Sequence, residues 1–421
     1  MASVCGATLF AAMAAGQEFS IADLVARAAE RNRQFLALRQ RVTESWALLR
    51  QAGVRPAPTV EVNGVTGRPL GTQGEEQFSA GYFRPVETYG KREKRIQVAK
   101  KAVHLAEAGL REQLAQLSYE VKVNYADAVA ERQRLEALDR LASLNRESYR
   151  LVDARVREDQ AAPLDRQLLL VELNQVEAQR ALGSGRAETA LARLRSIAGI
   201  EPGEDLRVIA LEPVSRIPYS LPQLRERALQ MRTELRIASL LEEQGAAEEV
   251  LAEAEGRPDL TLFARYSRVY SRFDDQFGFS RSGSLLPLQD RDDVVAFGLA
   301  FPLKSRRSNQ GNIEAAAART AQARLRREHL ERTVALEVDA AWRRWDAATR
   351  ALEILDSGVL EQSRKNLNVI REAYDLGHLN LLDVLSQQRR LTEIQMAYIE
   401  ARADVARAFA DLERAAGGDL R

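Results

Sequence analysis

The feature that most constrains the fold of this chain is an internal duplication. The segment SIADLVARAAERN at residue 20 aligns with SLPQLRERALQMR at residue 220, an offset of 200 residues. Farther along, Pro85 aligns with Pro302, an offset of 217 residues, so the second copy contains 17 additional residues before that point. A repeat of this kind predicts that both halves form the same supersecondary unit.

Each copy is predicted to contain one helix, two short extended segments and two very long helices. The predicted helices are 20–52, 88–160 and 163–198 in the first copy, and 220–255, 305–376 and 379–416 in the second. Between Gly90 and Pro163 only Gly109 interrupts a helix-favouring run, which would extend about 108 Å at 1.5 Å per residue. Apolar residues within this run step by three and four, as in a coiled-coil seam. Long paired helices are therefore expected.

The extended segments are predicted as two β-hairpins, 57–85 and 258–302, because apolar and polar residues alternate along them. Alternating segments of about ten residues suit tilted strands that cross a bilayer, although a soluble two-stranded hairpin explains the alternation equally well. The polar segment 271–293 is predicted as a long loop that contains the inserted residues.

The number of strands limits how such a barrel could form. Single-chain outer-membrane barrels start at about eight strands, and an open sheet edge cannot lie in lipid. Four strands per chain therefore predict a barrel built from several chains, with eight strands from two chains or twelve from three.

The remaining organisation is predicted from composition. Residues 1–17 are uncharged and end in small residues, which resembles a secretory signal without its basic start, so the segment is atypical or the true N-terminus lies upstream. Repeat 1 is predicted at 18–199, a proline-rich linker at 200–219 and repeat 2 at 220–421. The single cysteine, Cys5, allows no disulfide framework and is a poor candidate for lipidation.

We find no sequence pattern for catalysis. The histidines His104, His329 and His378 are far apart, and no phosphate-binding loop or nucleophile motif is present. The net charge of +1 argues against nucleic acid as a partner. We therefore predict no enzyme activity, no cofactor and no metal site. A passive conduit and a coiled-coil scaffold outside the membrane are both left open at this point.

Three segments carry a resemblance to a known family. They are ETYGKREKR (87–95), FPLKSRRSNQGNIEAA (301–316) and YDLGHLNLLDVL (374–385). From about residue 20 onward the chain resembles the TolC-type outer-membrane factor family, also called outer membrane efflux proteins. Within that family it is most similar to the CzcC-like branch, which is associated with heavy-metal resistance.

The resemblance implies a mainly α fold with a small β part. Duplicated long helical hairpins would form an α-barrel tunnel, and four strands per chain would contribute to a trimeric twelve-strand transmembrane β-barrel. It also implies a homotrimer in the outer-membrane lipid of a Gram-negative bacterium, with a long periplasmic extension. Its partners would be a periplasmic adaptor (membrane fusion protein) and a proton-driven inner-membrane pump of the resistance-nodulation-division class. The substrates would be divalent metal cations or, alternatively, organic toxins or drugs.

Family members close the periplasmic tip of the tunnel with a tyrosine, an arginine and rings of aspartates. The resemblance assigns the predicted gate to Asp165, Tyr374, Gly377 and Asp383. The arginine position is occupied by Leu379 and a second aspartate position by Ser386, so the gate is only partly carried over. A ring of Asp383 carboxylates is expected to attract cations.

Overall fold

The computed structural model of the chain describes residues 18–71, 75–201, 204, 206–211, 216–303 and 309–420. The predicted signal-like segment with Cys5, parts of the predicted linker and residues 304–308 lie outside these residues. The described residues form two compact units. Unit 1 is drawn from Met1–Gln40, Ala108–Arg236 and Glu328–Arg421, and unit 2 from Arg41–Glu107 and Ile237–Arg327.

The elements follow the predicted order in both copies. The helices are α1 (Ile21–Arg31), α2 (Arg33–Ala52), α3 (Lys91–Arg157), α4 (Pro163–Ala198), α5 (Leu221–Met231), α6 (Thr233–Glu255), α7 (Gln310–Asp356), α8 (Val359–Asp375) and α9 (Leu381–Ala415). The strands are β1 (Glu18–Phe19), β2 (Thr59–Thr66), β3 (Glu75–Val86), β4 (Arg207–Val208), β5 (Leu260–Phe279) and β6 (Leu285–Ala300). The longest helix, α3, has 67 residues and continues through Gly109 without a break.

The first predicted helix of each copy is interrupted, and the interruption falls at equivalent positions. Asn32 separates α1 from α2, and Arg232 separates α5 from α6; both residues have extended ψ angles, 112° and 122°. The Asn32 side chain accepts hydrogen bonds from the backbone N–H groups of Gln34 and Phe35, at 3.0 and 3.1 Å. Asn32 therefore caps a new helix, which a continuous apolar pattern does not reveal.

The predicted helix 305–376 is also wrong as a single element. It is divided into α7 and α8 at Ser357 and Gly358. Gly358 has φ = 102°, a left-handed conformation that glycine adopts easily and that cannot continue a right-handed helix. A glycine this deep in a helical pattern could have been tolerated, as Gly109 is, so the sequence alone does not distinguish the two outcomes.

The core of unit 1 preserves the duplication in three dimensions. One cluster contains Leu24, Val121 and Leu194, and a second contains Leu224, Val338 and Leu412, all of them fully buried. These pairs are 200, 217 and 218 residues apart, as the sequence alignment requires. Burying each of these side chains contributes about 1.5–3 kcal/mol, so both copies depend on the same anchoring positions.

Unit 2 contains a single four-stranded antiparallel sheet in the order β2-β3-β5-β6. The two predicted hairpins are joined through β3 and β5, which pair from Glu75–Ser271 to Val86–Leu260. The predicted loop 271–293 is wrong, because most of it extends β5 and β6 and only residues 280–284 connect them. Aromatic and β-branched residues in this segment favour extended backbone, and antiparallel pairing satisfies its polar groups without a buried face.

Candidate membrane surface and hairpin tip

The strand register divides the side chains of the sheet between two faces. Directly paired residues share a face, and the row Val60, Tyr82, Ala264 and Phe297 runs across all four strands. We call the face that carries this row the apolar face. Its apolar members are Val60, Val62, Phe78, Ala80, Tyr82, Leu262, Ala264, Tyr266, Val295, Phe297 and Leu299. The opposite face, which we call the polar face, includes Glu61, Asn63, Gln77, Ser79, Arg265 and Ser267.

The apolar face is largely uncovered. Val60 is 70% exposed and Phe297 is 84% exposed. A continuous exposed apolar surface of this kind marks a site of contact with a membrane or with another protein. The alternation of one apolar and one polar face is the pattern of strands that face lipid on one side and a channel on the other.

The apolar surface crosses the sheet diagonally. Towards the hairpin turns it ends at Glu76 on β3 but at Arg268 on β5, and Arg268 pairs with Phe78 rather than with Glu76. The step of one row is about 6.7 Å between hairpin centres about 9.6 Å apart, an inclination of about 35°. Transmembrane strands tilt by about 35–45°, and so a horizontal lipid band would appear on this sheet with the inclination observed.

The height of the apolar surface also suits a bilayer. On β3 the charged residues that bound it are Arg84, near α3, and Glu76, near the turn. The eight steps between them extend about 26 Å along the strand, or about 22 Å after correction for the tilt. Outer-membrane barrels have an apolar band about 25 Å tall.

The polar face carries an aromatic and ionic group. The rings of Phe83 and Phe263 stack with centroids 5.9 Å apart. The guanidinium of Arg265 lies 5.5 Å from the Phe83 ring centroid and 3.8 Å from a Glu61 carboxylate oxygen. Charged groups on this face suit contact with water, not with lipid.

Both edges of the described sheet are open. Strands β2 and β6 each pair on one side only, which leaves rows of backbone N–H and C=O groups available for pairing. In lipid such edges would be costly, because no water can satisfy them. None of the described helices has the length and apolar character needed to cross a membrane. Within the same residues, no group of three or more His, Cys, Asp or Glu side chains is arranged to hold a metal ion.

The predicted gate residues lie in unit 1, where two helical hairpins turn. In the second copy, α8 ends at Asp375 and Gly377 adopts φ = 78°, a left-handed conformation suited to glycine. Asn380 then begins α9: its side chain accepts from the Asp383 N–H at 3.0 Å, and Asp383 accepts from the Asn380 N–H at 3.2 Å. The Asp383 carboxylate therefore completes a capping box and is favoured by the helix dipole.

The turn in the first copy reaches the same geometry with different residues. Asp159 has φ = 57° and occupies the position equivalent to Gly377, 218 residues earlier. Pro163 begins α4 and Asp165 lies in its first turn. Asp165 and Asp383 are thus equivalent in structure, as the alignment predicts.

The structure brings Tyr374 close to the first-copy turn. Tyr374 packs against a cluster whose buried members include Val152 and Leu169 from the first copy and Leu385 from the second. Burial raises the pKa of the Tyr374 phenol, and the nearby Asp165 carboxylate raises it further. The phenol is therefore held neutral beside an acidic group. The assignment of these residues to a gate stays a prediction.

Two polar contacts between the copies were not predicted from the sequence. The Gln388 amide donates to Asn145 Oδ1 at 2.6 Å, and both residues are buried. One turn away on the other side of α9, the Arg389 guanidinium donates to a single oxygen of the buried Glu172 at 2.9 and 3.1 Å. These contacts fix α9 against α3 and α4. Their signal in the sequence is weak, because each residue alone is typical of a solvated helix surface.

Comparison with known proteins agrees with this geometry. The family model described as outer membrane efflux protein matches residues 224–418. No curated protein matches the chain.

Solved structures match nearly the whole chain. The outer membrane channel CmeC of Campylobacter jejuni superposes with a TM-score of 0.76 at 15% identity, covering 95% of this chain and 86% of that one. For CusC the values are 0.75, 17%, 96% and 93%. For the outer membrane channel MtrE of Neisseria gonorrhoeae they are 0.69, 19%, 95% and 89%. The predicted mainly α fold with a small antiparallel sheet is confirmed, and residues 224–418 belong to the outer membrane efflux protein family.

Proposed function

We propose that this chain is the channel subunit of an outer-membrane efflux system and works as a passive conduit. The observation that carries the proposal is the open-edged sheet, whose apolar face crosses it at the inclination and height of a lipid band. Three copies joined edge to edge would provide twelve strands and leave no edge in lipid. The sequence match of the second copy to the efflux family and the fold of the solved channels support the same role.

The test is where the chain resides and how it assembles. Outer membranes extracted with detergent should contain trimers that dissociate on heating in a denaturing gel, and these trimers should conduct ions in planar bilayers. A chain recovered without detergent, as a soluble dimer or trimer of helices, would instead support a coiled-coil scaffold.

We propose further that a periplasmic adaptor and a proton-driven inner-membrane pump of the resistance-nodulation-division class deliver the substrate, and that the tip around Asp383 forms the gate. Three Asp383 carboxylates in a ring would raise the local concentration of cations. Asp383→Asn should lower the cation preference of single channels, whereas the matched charge removal Glu361→Gln, at an exposed position of α8 paired with Lys365, should not. An unchanged preference in Asp383→Asn would rule out the proposed ring.

For the substrate we propose divalent metal cations, on the resemblance of segments 87–95 and 301–316 to the CzcC-like branch. A deletion strain should become sensitive to zinc, cobalt, cadmium or copper. Sensitivity to organic toxins alone would replace metal efflux by drug efflux and leave the channel function intact.

A further inference from the structure

A compact ionic group lies on the apolar face of the sheet, just beyond the apolar surface. One carboxylate, that of Asp293, accepts a hydrogen bond from Arg268 Nε at 2.7 Å, from an Arg291 terminal nitrogen at 3.1 Å and from the Tyr266 hydroxyl. Arg268 and Asp293 are directly paired across β5 and β6. Two guanidinium groups thus share one carboxylate, which leaves the group with a net charge of +1.

Aromatic rings hold both arginines in place. The Arg268 guanidinium lies 5.9 Å from the Tyr266 ring centroid, and the Arg291 guanidinium lies 5.9 Å from that of Tyr270. Stacking of this kind reduces the side-chain entropy that is lost when an arginine binds a ligand. The two side chains remain 35% and 50% exposed, so further N–H donors are accessible beside the bonds to Asp293.

The position of this group is as informative as its chemistry. Asp293 lies one row, about 6.7 Å, from the row that contains Val295, on the side of the hairpin turns. Val295 is 67% exposed and Phe297 is 84% exposed. An accessible cationic site therefore continues directly into an accessible apolar surface, which matches an amphiphile whose anionic group is attached to acyl chains.

We infer that Arg268 and Arg291 bind the phosphate of a phosphorylated lipid in the bilayer leaflet nearest the hairpin turns, with its acyl chains along Val295 and Phe297. The inference rests on the proposed function, since that function places the apolar face in lipid. Arginine is suited to this ligand because its planar group of donors matches phosphate oxygens in a bidentate geometry. A small soluble anion would leave the apolar half of the surface unused.

Arg265 provides a matched comparison within the same strand. It also stacks on an aromatic ring and lies near a carboxylate, but it is on the polar face, next to residues such as Ser267. A general effect of removing positive charge would appear equally at Arg265. Specific lipid binding should appear only at Arg268 and Arg291.

The experiment measures lipid binding to purified trimers by native mass spectrometry. The probes are bisphosphorylated lipid A, lipid A without its phosphates, and inorganic phosphate. Trimers of the original chain should retain the bisphosphorylated lipid about tenfold or more tightly than the dephosphorylated form, and inorganic phosphate should neither bind nor compete. Arg268→Gln with Arg291→Gln should abolish this preference, Arg268→Lys with Arg291→Lys should retain part of it, and Arg265→Gln should leave it unchanged.

Equal binding by the glutamine double variant and the original trimer would overturn the inference, as would equal loss in Arg265→Gln or competition by inorganic phosphate. Assembly is checked on the same samples by the heat-dependent gel shift, and the lysine variant provides a second route if the glutamine variant does not assemble. If the original chain does not enter the outer membrane, the proposed function fails and this inference fails with it. Trimers that assemble normally but bind without preference overturn this inference alone.

Discussion

Replacing Val62 with arginine tests most directly whether the apolar face lies in lipid. Val62 is 63% exposed on β2 and pairs with Ala80, which is midway between the bounding residues Arg84 and Glu76. In the proposed trimer its side chain would be at the centre of the bilayer. An arginine there would have no nearby headgroup region to reach.

The magnitude follows from this depth. Arginine on the lipid face of an outer-membrane barrel costs about 2–4 kcal/mol at the bilayer midplane, and almost nothing near the interfaces. Losing the exposed part of the valine from lipid adds about 1 kcal/mol. Each chain should therefore lose about 3–5 kcal/mol, and three chains about 9–15 kcal/mol, which would abolish most assembly.

Two controls separate the face from the substitution. Asn63→Arg changes the adjacent residue, at the same depth but on the polar face, and Val65→Arg changes the same residue type on the polar face, where Val65 is 58% exposed. The assay is the amount of heat-modifiable trimer in the outer membrane. Val62→Arg should lower it severely, and the two controls should not. Equal trimer levels for Val62→Arg and Asn63→Arg would refute the assignment of the lipid face, and loss only in Asn63→Arg would reverse it.

Three further predictions concern unit 1 and are measured as thermal unfolding of the helices by circular dichroism in detergent. Tyr125→Phe removes a buried hydroxyl that accepts from the backbone N–H of residue 209 at 2.7 Å, and should destabilise by about 1–2 kcal/mol, against less than about 1 kcal/mol for Tyr398→Phe at a partly exposed position. Asn145→Leu leaves the Gln388 amide buried without its acceptor and should cost about 1–3 kcal/mol, which the second substitution Gln388→Leu should recover. Glu112→Gln should stabilise the protein near pH 8 and have little effect near pH 4.

The sign of the last prediction follows from the pKa of Glu112. Burial raises this pKa above its ordinary value, and the neighbouring Glu234 raises it further, against the opposing effect of Arg232 and Arg414. The stability that Glu112 contributes is therefore present below the pKa of the unfolded chain and lost as the pH rises through the raised value. A larger gain at low pH than at high pH would contradict the assignment. Equal losses for Tyr125→Phe and Tyr398→Phe, or additive losses for the two leucine substitutions, would contradict the other two.

The sequence was sufficient for the order of elements because each long helix and each strand has its own apolar period. The equivalence of Leu24 with Leu224 is visible as an offset of 200 residues, and both residues are buried where the alignment requires. The break at Asn32 was missed because one side chain decides it locally, by capping a new helix while the apolar pattern continues. The fold class is therefore predictable, whereas its interruptions are not.

The candidate sites were predictable to different extents. Alternation assigns Val60 and Val62 to one face, but it cannot show that β3 pairs with β5, because periodicity does not identify the neighbouring strand. The segment 271–293 was interpreted as a loop because a strand with water on both sides needs no apolar alternation. The proximity of Asp165 and Tyr374, which are more than two hundred residues apart in the chain, depends on how two helical hairpins pack.

The two edges of the sheet differ in length, and this limits how copies can join. Strand β2 has 8 residues and β6 has 16, so edge-to-edge pairing between copies can cover at most half of β6. The half nearer the turn would stand above such a ring as an unpaired fringe, with water as the partner of its backbone. It contains Pro287 and the charged run 290–293, which discourage the addition of a foreign strand. Shortening this fringe should leave the ring intact, and extending β2 to match it should turn three separate prongs into a continuous collar.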